Sequence, residues 1–328
     1  MGVAGAVFAV TRWLPALLLA ALSGTLSPDP NESGPITSLE QAMIGGVEAT
    51  RRVRAFGRYN AVAYGAGSLG SLAAGLPAVL RRAYPALPSG QWWLLLFPVI
   101  GVVCRILAGR LSEAVEVRSA PEAQESPPTP RRRAPLVRSG RTVRRLALLF
   151  ALDSFGGGFI TQAFLVFWFR RRFGASTDVM GAVFFAAGLL QAASSLLAGR
   201  LASRIGLLNT MVFTHLPSNL LLLAVPLAPG LAAAIAILLA RFALSQMDVP
   251  ARQAYVVAMV DPEERVAAAA YTNTARYLTR PPGPAVAGAL MGSAGVGSPF
   301  FAAGALKIVY DVALYLQFRR VPDPSGRG

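Results

Sequence analysis

Apolar runs close to the thickness of a lipid bilayer recur from one end of the chain to the other, and they restrict the fold more than any other feature. Nine lie near residues 13–35, 59–80, 91–111, 145–168, 178–199, 207–227, 229–250, 264–292 and 298–318. A helix of about 20 apolar residues crosses the roughly 30 Å of hydrocarbon in a bilayer. Backbone in lipid must satisfy its own hydrogen bonds, which leaves helices and closed barrels. Apolar runs this long and continuous read as helices. Composition agrees: 54% of the 328 residues are hydrophobic and only 14% charged, against about a quarter charged in soluble domains. The sequence therefore predicts an all-α polytopic membrane protein of about nine transmembrane helices, three followed by six. The first run, preceded by Arg12 and ending in small residues, also has the look of a signal peptide. With eight runs behind it, it reads as an uncleaved helix.

One polar stretch, SEAVEVRSAPEAQESPPTPRRRAPLVRSGRTVRR at 112–145, separates the third run from the fourth. Its Pro, Ser, Glu and Arg cannot build a core, so it reads as a linker. The expected division is 1–111, linker 112–144, six helices over 145–320 and a tail at 321–328. A net charge of +15 would ordinarily raise nucleic acid as a partner. Here most Arg residues lie in the gaps between apolar runs, as in cytoplasmic loops, and no nucleic-acid partner is expected. With the linker inside, the outer side carries Arg12, Arg81, Arg82, Arg170, Arg171 and Arg172. Most remaining cations fall inside, which puts the C-terminus in the cytoplasm of a multi-pass protein of the cell (inner) membrane. The single Cys104 allows neither an intrachain disulfide nor a cysteine metal site. No zinc cluster, phosphate-cradling loop or hydrolase arrangement is evident, so no enzyme, metal or cofactor is expected.

The chain also repeats itself. RYNAVAYGAGSLGSLAAGL at 58–76 and YTNTARYLTRPPGPAVAGAL at 271–290 align without a gap when Asn60 is set over Asn273, an offset of 273 − 60 = 213. Arg52, Val53, Ala55, Tyr64, Gly70, Ala74 and Gly75 then match Arg265, Val266, Ala268, Tyr277, Gly283, Ala287 and Gly288. Asn273 falls in the fifth of the last six runs. In LLAGRLASRIGLL at 196–208, Gly199, Arg204 and Gly206 match a Gly-x-x-x-Asp-Arg-x-Gly-Arg-Arg loop, with Ser203, Leu207 and Leu208 departing from it. In LLARFALSQMDVP at 238–250, Arg241 precedes Ser245 by four residues, whereas Ala21 holds the Arg position in LLAALSGTLSPDP at 18–30. The whole pattern resembles the major facilitator superfamily of secondary transporters. That resemblance implies two parallel six-helix halves that work by alternating access. It also implies that three helices are missing. Asn273 has about 127 residues of its half before it and Asn60 has 59, a difference of 68, about three helices at roughly 20 residues each. The expected function is movement of a small molecule by ion or proton coupling, with efflux favoured by the habits of the superfamily. The alternative is a non-transporting remnant or helical partner subunit, associating to cover the gap.

Ionisable groups inside a bilayer are costly and mark function by default. Substrate or coupling candidates are Glu32, Asp153, Gln162, His215, Arg241, Gln246, Asn273 and Arg276. Asp153 lies beside Ser154 ahead of Gly156, Gly157 and Gly158, in a run that the resemblance places on the cavity. His215, the only His, titrates near neutrality when unperturbed. Arg276 and Arg280 share a helix face ahead of the PPGP at 281–284, where proline breaks the helix; this suggests an anion-compatible site. The recurrence of Asn60 and Asn273 points to interhelical hydrogen bonds. Gly199, Arg204, Gly206, Asp248, Arg252, Lys307 and Asp311 are structural or gating candidates. Asp248 with Arg252, and Lys307 with Asp311, have the four-residue spacing of intrahelical pairs.

Overall fold

The computed structural model describes residues 2–23, 35–73, 76–87, 90–110, 136 and 138–321. Their regular structure is helical, with no strand among the described residues. Before the polar stretch come α1 (Gly2–Val10), α2 (Leu14–Leu22), α3 (Pro35–Gly45), α4 (Ala49–Ala73), α5 (Leu76–Ala83) and α6 (Leu96–Ala108). After it come α7 (Gly140–Phe159), α8 (Gln162–Phe173), α9 (Thr177–Ile205), α10 (Leu207–Ala224), α11 (Leu231–Ser245), α12 (Asp248–Ala258), α13 (Arg265–Thr279), α14 (Gly283–Ala294) and α15 (Ser298–Phe318). Nearly all of the expected linker, and Glu32, lie outside the described residues.

Among the described residues, six helical stretches are long and apolar enough to cross a bilayer: Gln91–Ala108, Gly140–Phe173, Asp178–Ile205, Leu207–Leu227, Leu231–Ala258 and Ser298–Phe318. Nine such stretches are not found among the described residues, for three reasons. Of the run at 13–35 only residues 13–23, which hold α2, and residue 35 are among those described. The run at 59–80 belongs to a helix that begins ten residues earlier, at Ala49, and takes in Arg51, Arg52, Arg54 and Arg58. The run at 264–292 is divided: α13 ends at Thr279 and α14 begins at Gly283, because Pro281 and Pro282 supply no N–H.

Local chemistry sets the ends. Thr161 caps α8 by accepting from the Phe164 N–H at 3.2 Å, and Ser176 caps α9 by accepting from Val179 at 3.4 Å. Between α9 and α10 the chain turns on Gly206 at φ +83°, a conformation that side chains disfavour. The start of α7 is held from a distance: the Glu264 carboxylate accepts from the backbone N–H groups of Arg138 and Ser139, both at 3.1 Å. A carboxylate at a helix N-terminus also meets the positive end of the helix dipole. Glu264→Gln keeps the shape but loses the charge and one of two good acceptors. It should lower stability by about 1 kcal/mol, read as a thermal shift in detergent; an unchanged midpoint would refute this role.

The residues after 138 pack in two apolar clusters. One holds Phe150, Met211, Tyr255, Tyr310 and Leu314, with Phe56 of α4 joining it. The other holds Phe159, Phe164, Trp168, Leu222, Leu238 and Phe300. On α7 the residue between Phe150 and Phe159 that matters is Asp153. On α10, His215 lies between Met211 and Leu222, and on α15, Lys307 lies between Phe300 and Tyr310. The polar groups thus form a layer between two greasy ones.

The early helices meet the later ones chiefly along α4 and α9. The backbones approach closely because the residues are small. A Cβ on Gly57 would stand 2.5 Å from the Ser195 carbonyl oxygen, and one on Gly188 2.7 Å from Ser68 Cβ.

Candidate functional site

Three helices bring the polar layer together. Asp153 comes from α7, His215 and Asn219 from successive turns of α10, and Lys307 and Asp311 from successive turns of α15, which packs on both. All five are buried, Asp311 and Asn219 completely. Lys307 Nζ donates to Asp153 Oδ1 at 2.6 Å. His215 Nδ1 lies 2.8 Å from Asp311 Oδ1. Because a carboxylate oxygen accepts, the hydrogen belongs on Nδ1. That leaves Nε2 facing the other acid, 3.7 Å from Asp153 Oδ1. The Asn219 amide donates to Asp311 Oδ2 at 2.8 Å, completing the second carboxylate. One imidazole therefore lies between two buried acids, hydrogen-bonded to Asp311 and facing Asp153.

A second tier lies against the first. Arg252 of α12 reaches Asp153 Oδ2 at 3.5 Å and Asp248 Oδ2 at 3.7 Å, and stacks over the Phe150 ring at 5.6 Å. Tyr310 stands edge-on to His215 with ring centroids 5.7 Å apart. Its hydroxyl is buried and has no partner among the described residues. Arg241 of α11 lies over Phe242 at 5.2 Å. It is half-buried, and its Nε has no hydrogen-bond partner among the described residues. The formal count is three cations, Arg241, Arg252 and Lys307, against three carboxylates, Asp153, Asp248 and Asp311. The cluster balances when His215 is neutral and gains one positive charge when it is protonated.

The intrahelical pair expected between Lys307 and Asp311 is not formed. Each finds a partner on another helix, since Asp153 and His215 present closer atoms than one turn of α15 does. Asp248 and Arg252 do pair along α12, yet Arg252 also serves Asp153. Gln162 is exposed at the start of α8, beyond the break at Ile160, and stands apart from the cluster. Arg204 is exposed in the last turn of α9. Gly199 packs against α4, where a Cβ would lie 2.7 Å from Arg54 Cγ. The half-buried Arg276 contributes a backbone carbonyl, which accepts from Ser154 Oγ at 2.9 Å.

The remaining candidates lie where early helices meet late ones. Gln246 accepts a hydrogen bond from the Tyr64 hydroxyl. The Asn273 side-chain amide donates to Gln41 Oε1 at 3.0 Å, and that of Asn60 donates to Gln253 Oε1 at 2.7 Å. Sequence reasoning missed Asn219, Tyr310, Gln41 and Gln253 as participants. Only Asn219 had a local signal, its position one turn from His215.

Comparison with known proteins follows the same lines. The sequence model of the Major Facilitator Superfamily matches residues 32–280 and 146–328. An uncharacterized membrane protein of Saccharomyces cerevisiae is 25% identical over 346 aligned positions, which cover 97% of this chain and 77% of that protein. The crystal structure of the human organic anion transporter MFSD10 superposes with a TM-score of 0.66 at 21% identity, covering 95% of this chain and 74% of the other. That of a bacterial homologue of the iron transporter ferroportin, in an outward-facing state, gives 0.61 at 12% identity, covering 97% and 80%. At these identities the two structures speak for a shared fold.

Proposed function

The chain belongs to the Major Facilitator Superfamily, and from that premise we propose that it is a proton-coupled secondary transporter of a small organic anion. The observation that carries this reading is the imidazole of His215 set between Asp311 and Asp153 in a buried, charge-balanced cluster. Burial makes each uncompensated charge there expensive. A proton on His215 takes the cluster from neutral to singly positive. A monoanion near Arg241 would then restore neutrality, so proton and anion favour each other's binding. The reading is also supported, by analogy of fold alone, by the organic anion transporter among the similar structures. A proton and an anion that bind together move the same way, and the steeper gradient sets the direction. We favour export of an anion that accumulates inside, with the linker and the C-terminus in the cytoplasm of the cell membrane. Movement would follow from the two halves rocking about the site.

The test uses purified protein in liposomes loaded with a panel of membrane-impermeant monoanionic carboxylate and sulfonate dyes. Dye efflux and proton movement are recorded together. At least one dye should leave with about one proton, and His215→Gln should slow that efflux at least about tenfold, since one charge–charge attraction worth on the order of 1.4 kcal/mol is lost. Dye movement without protons would refute the coupling. No dye movement at all would favour the non-transporting alternative.

A further inference from the structure

The asparagines of the two amide pairs Asn60–Gln253 and Asn273–Gln41 are related by the internal repeat, and the placement of the pairs has a use. Asn60 lies on α4 and its partner on α12. Asn273 lies on α13 and its partner on α3. Each bond therefore joins a helix before the polar stretch to one after it; the 213-residue offset of the repeat exchanges the two asparagines and brings Gln41 within one position of Gln253. All four side chains are buried, at 0%, 8%, 6% and 8% exposure for Asn60, Gln253, Asn273 and Gln41. Both pairs sit toward the same end of the bundle, the end where α7 begins. Arg265 ties that end further, its guanidinium lying 3.2 Å from the Val257 carbonyl and 3.5 Å from the Gly45 carbonyl.

We infer that these two amide clasps are the gate that holds the linker end shut, and that both must open for the site to face that side. This rests on the alternating-access reading. The chemistry suits a gate. An amide pair is neutral, so opening it strands no charge. Its donors and acceptors exchange one another for water at small net cost. Asn60 already keeps its Oδ1 without a partner among the described residues, so water admitted on opening would satisfy an atom that closure leaves orphaned. Charged pairs buried at the same positions would cost far more to separate.

The test reads distance and needs no substrate, so its outcome is independent of whether transport is found. Cys104 is replaced by Ser, and nitroxide labels are placed at Arg51→Cys and Glu263→Cys, two exposed sites at the linker end. Pulsed dipolar spectroscopy on purified protein then gives the distribution of separations. The parent should show mainly one short separation. Asn60→Ala or Asn273→Ala should each raise the ratio of long to short separations about fivefold, and the two together about 25-fold, the effect of about one hydrogen bond each if they act independently. The exchange Asn60→Gln with Gln253→Asn keeps an amide pair and should restore the short separation, which distinguishes a lost bond from lost packing. An unchanged distribution in the double alanine variant would overturn the inference. So would a lengthening that the exchange does not reverse.

Discussion

Asp153→Asn is expected to lower stability by about 3–5 kcal/mol, because removing one partner of a buried ionic group leaves the others uncompensated. The carboxylate serves Lys307 at 2.6 Å and Arg252 at 3.5 Å and faces His215 at 3.7 Å. An asparagine of the same shape keeps a hydrogen-bond acceptor but leaves the buried Lys307 facing no carboxylate charge there and takes from Arg252 one of the two carboxylates it reaches, the other being Asp248. The thermal midpoint in detergent should fall by roughly 10 °C. The more telling comparison is with the double variant Asp153→Asn with Lys307→Met. It removes the stranded Lys307 charge and should be more stable than the single variant, a coupling that a double-mutant cycle measures directly. Additive losses would show that the two side chains do not depend on each other. Proton-coupled dye movement should be absent in both variants, since each lacks the acid that faces His215 Nε2.

The other large effect is steric. A Cβ on Gly158 would stand 2.4 Å from the Arg280 carbonyl oxygen and 3.1 Å from Gly283 Cα, and one on Gly283 would stand 2.6 Å from Gly158 Cα. These obstacles are backbone, so no side chain can move aside. The last turn of α7 would have to part from the break between α13 and α14. Gly158→Ala should cost about 1–3 kcal/mol, as overpacking does. Gly158→Val should abolish accumulation of folded protein in the membrane. Gly181→Ala is the control, since its Cβ would meet nothing within 4 Å; it should be neutral or stabilising by up to about 1 kcal/mol, through lost freedom of the unfolded chain and better helix propensity. Equal behaviour of Gly158→Ala and Gly181→Ala would show that α7 does not depend on this approach.

Much of the architecture was legible in order along the chain. Apolar length marked helices, and Pro281 and Pro282 marked the break between α13 and α14. Such features depend on neighbours a few residues away. Gly206 stood out in a loop motif, but its role as a left-handed turn between α9 and α10 needed the backbone angles. Glu264 gave no hint of its task, because the helix it caps begins more than a hundred residues earlier in the chain.

The site divides in the same way. Asp153, His215, Lys307 and Asp311 were each conspicuous, since charge in an apolar run is expensive wherever the helix lies. Their pairing was not legible. Four-residue spacing joins Lys307 to Asp311 on a lone helix, and it was the approach of α7 and α10 that offered each a nearer partner. The repeat shows the same limit. The ungapped offset carries Asn60 onto Asn273, but it carries Gln41 onto Ala254 and leaves Gln253 one position away, so nothing in the alignment names the glutamines as partners. By itself the sequence determined that the chain lies in a membrane, where it turns polar, and which side chains must find company there, because transfer into lipid acts on each residue separately. Which partners meet was decided only by tertiary structure, because a hydrogen bond or ion pair needs two atoms within about 3 Å, and helix packing alone sets distances between turns so far apart in the chain.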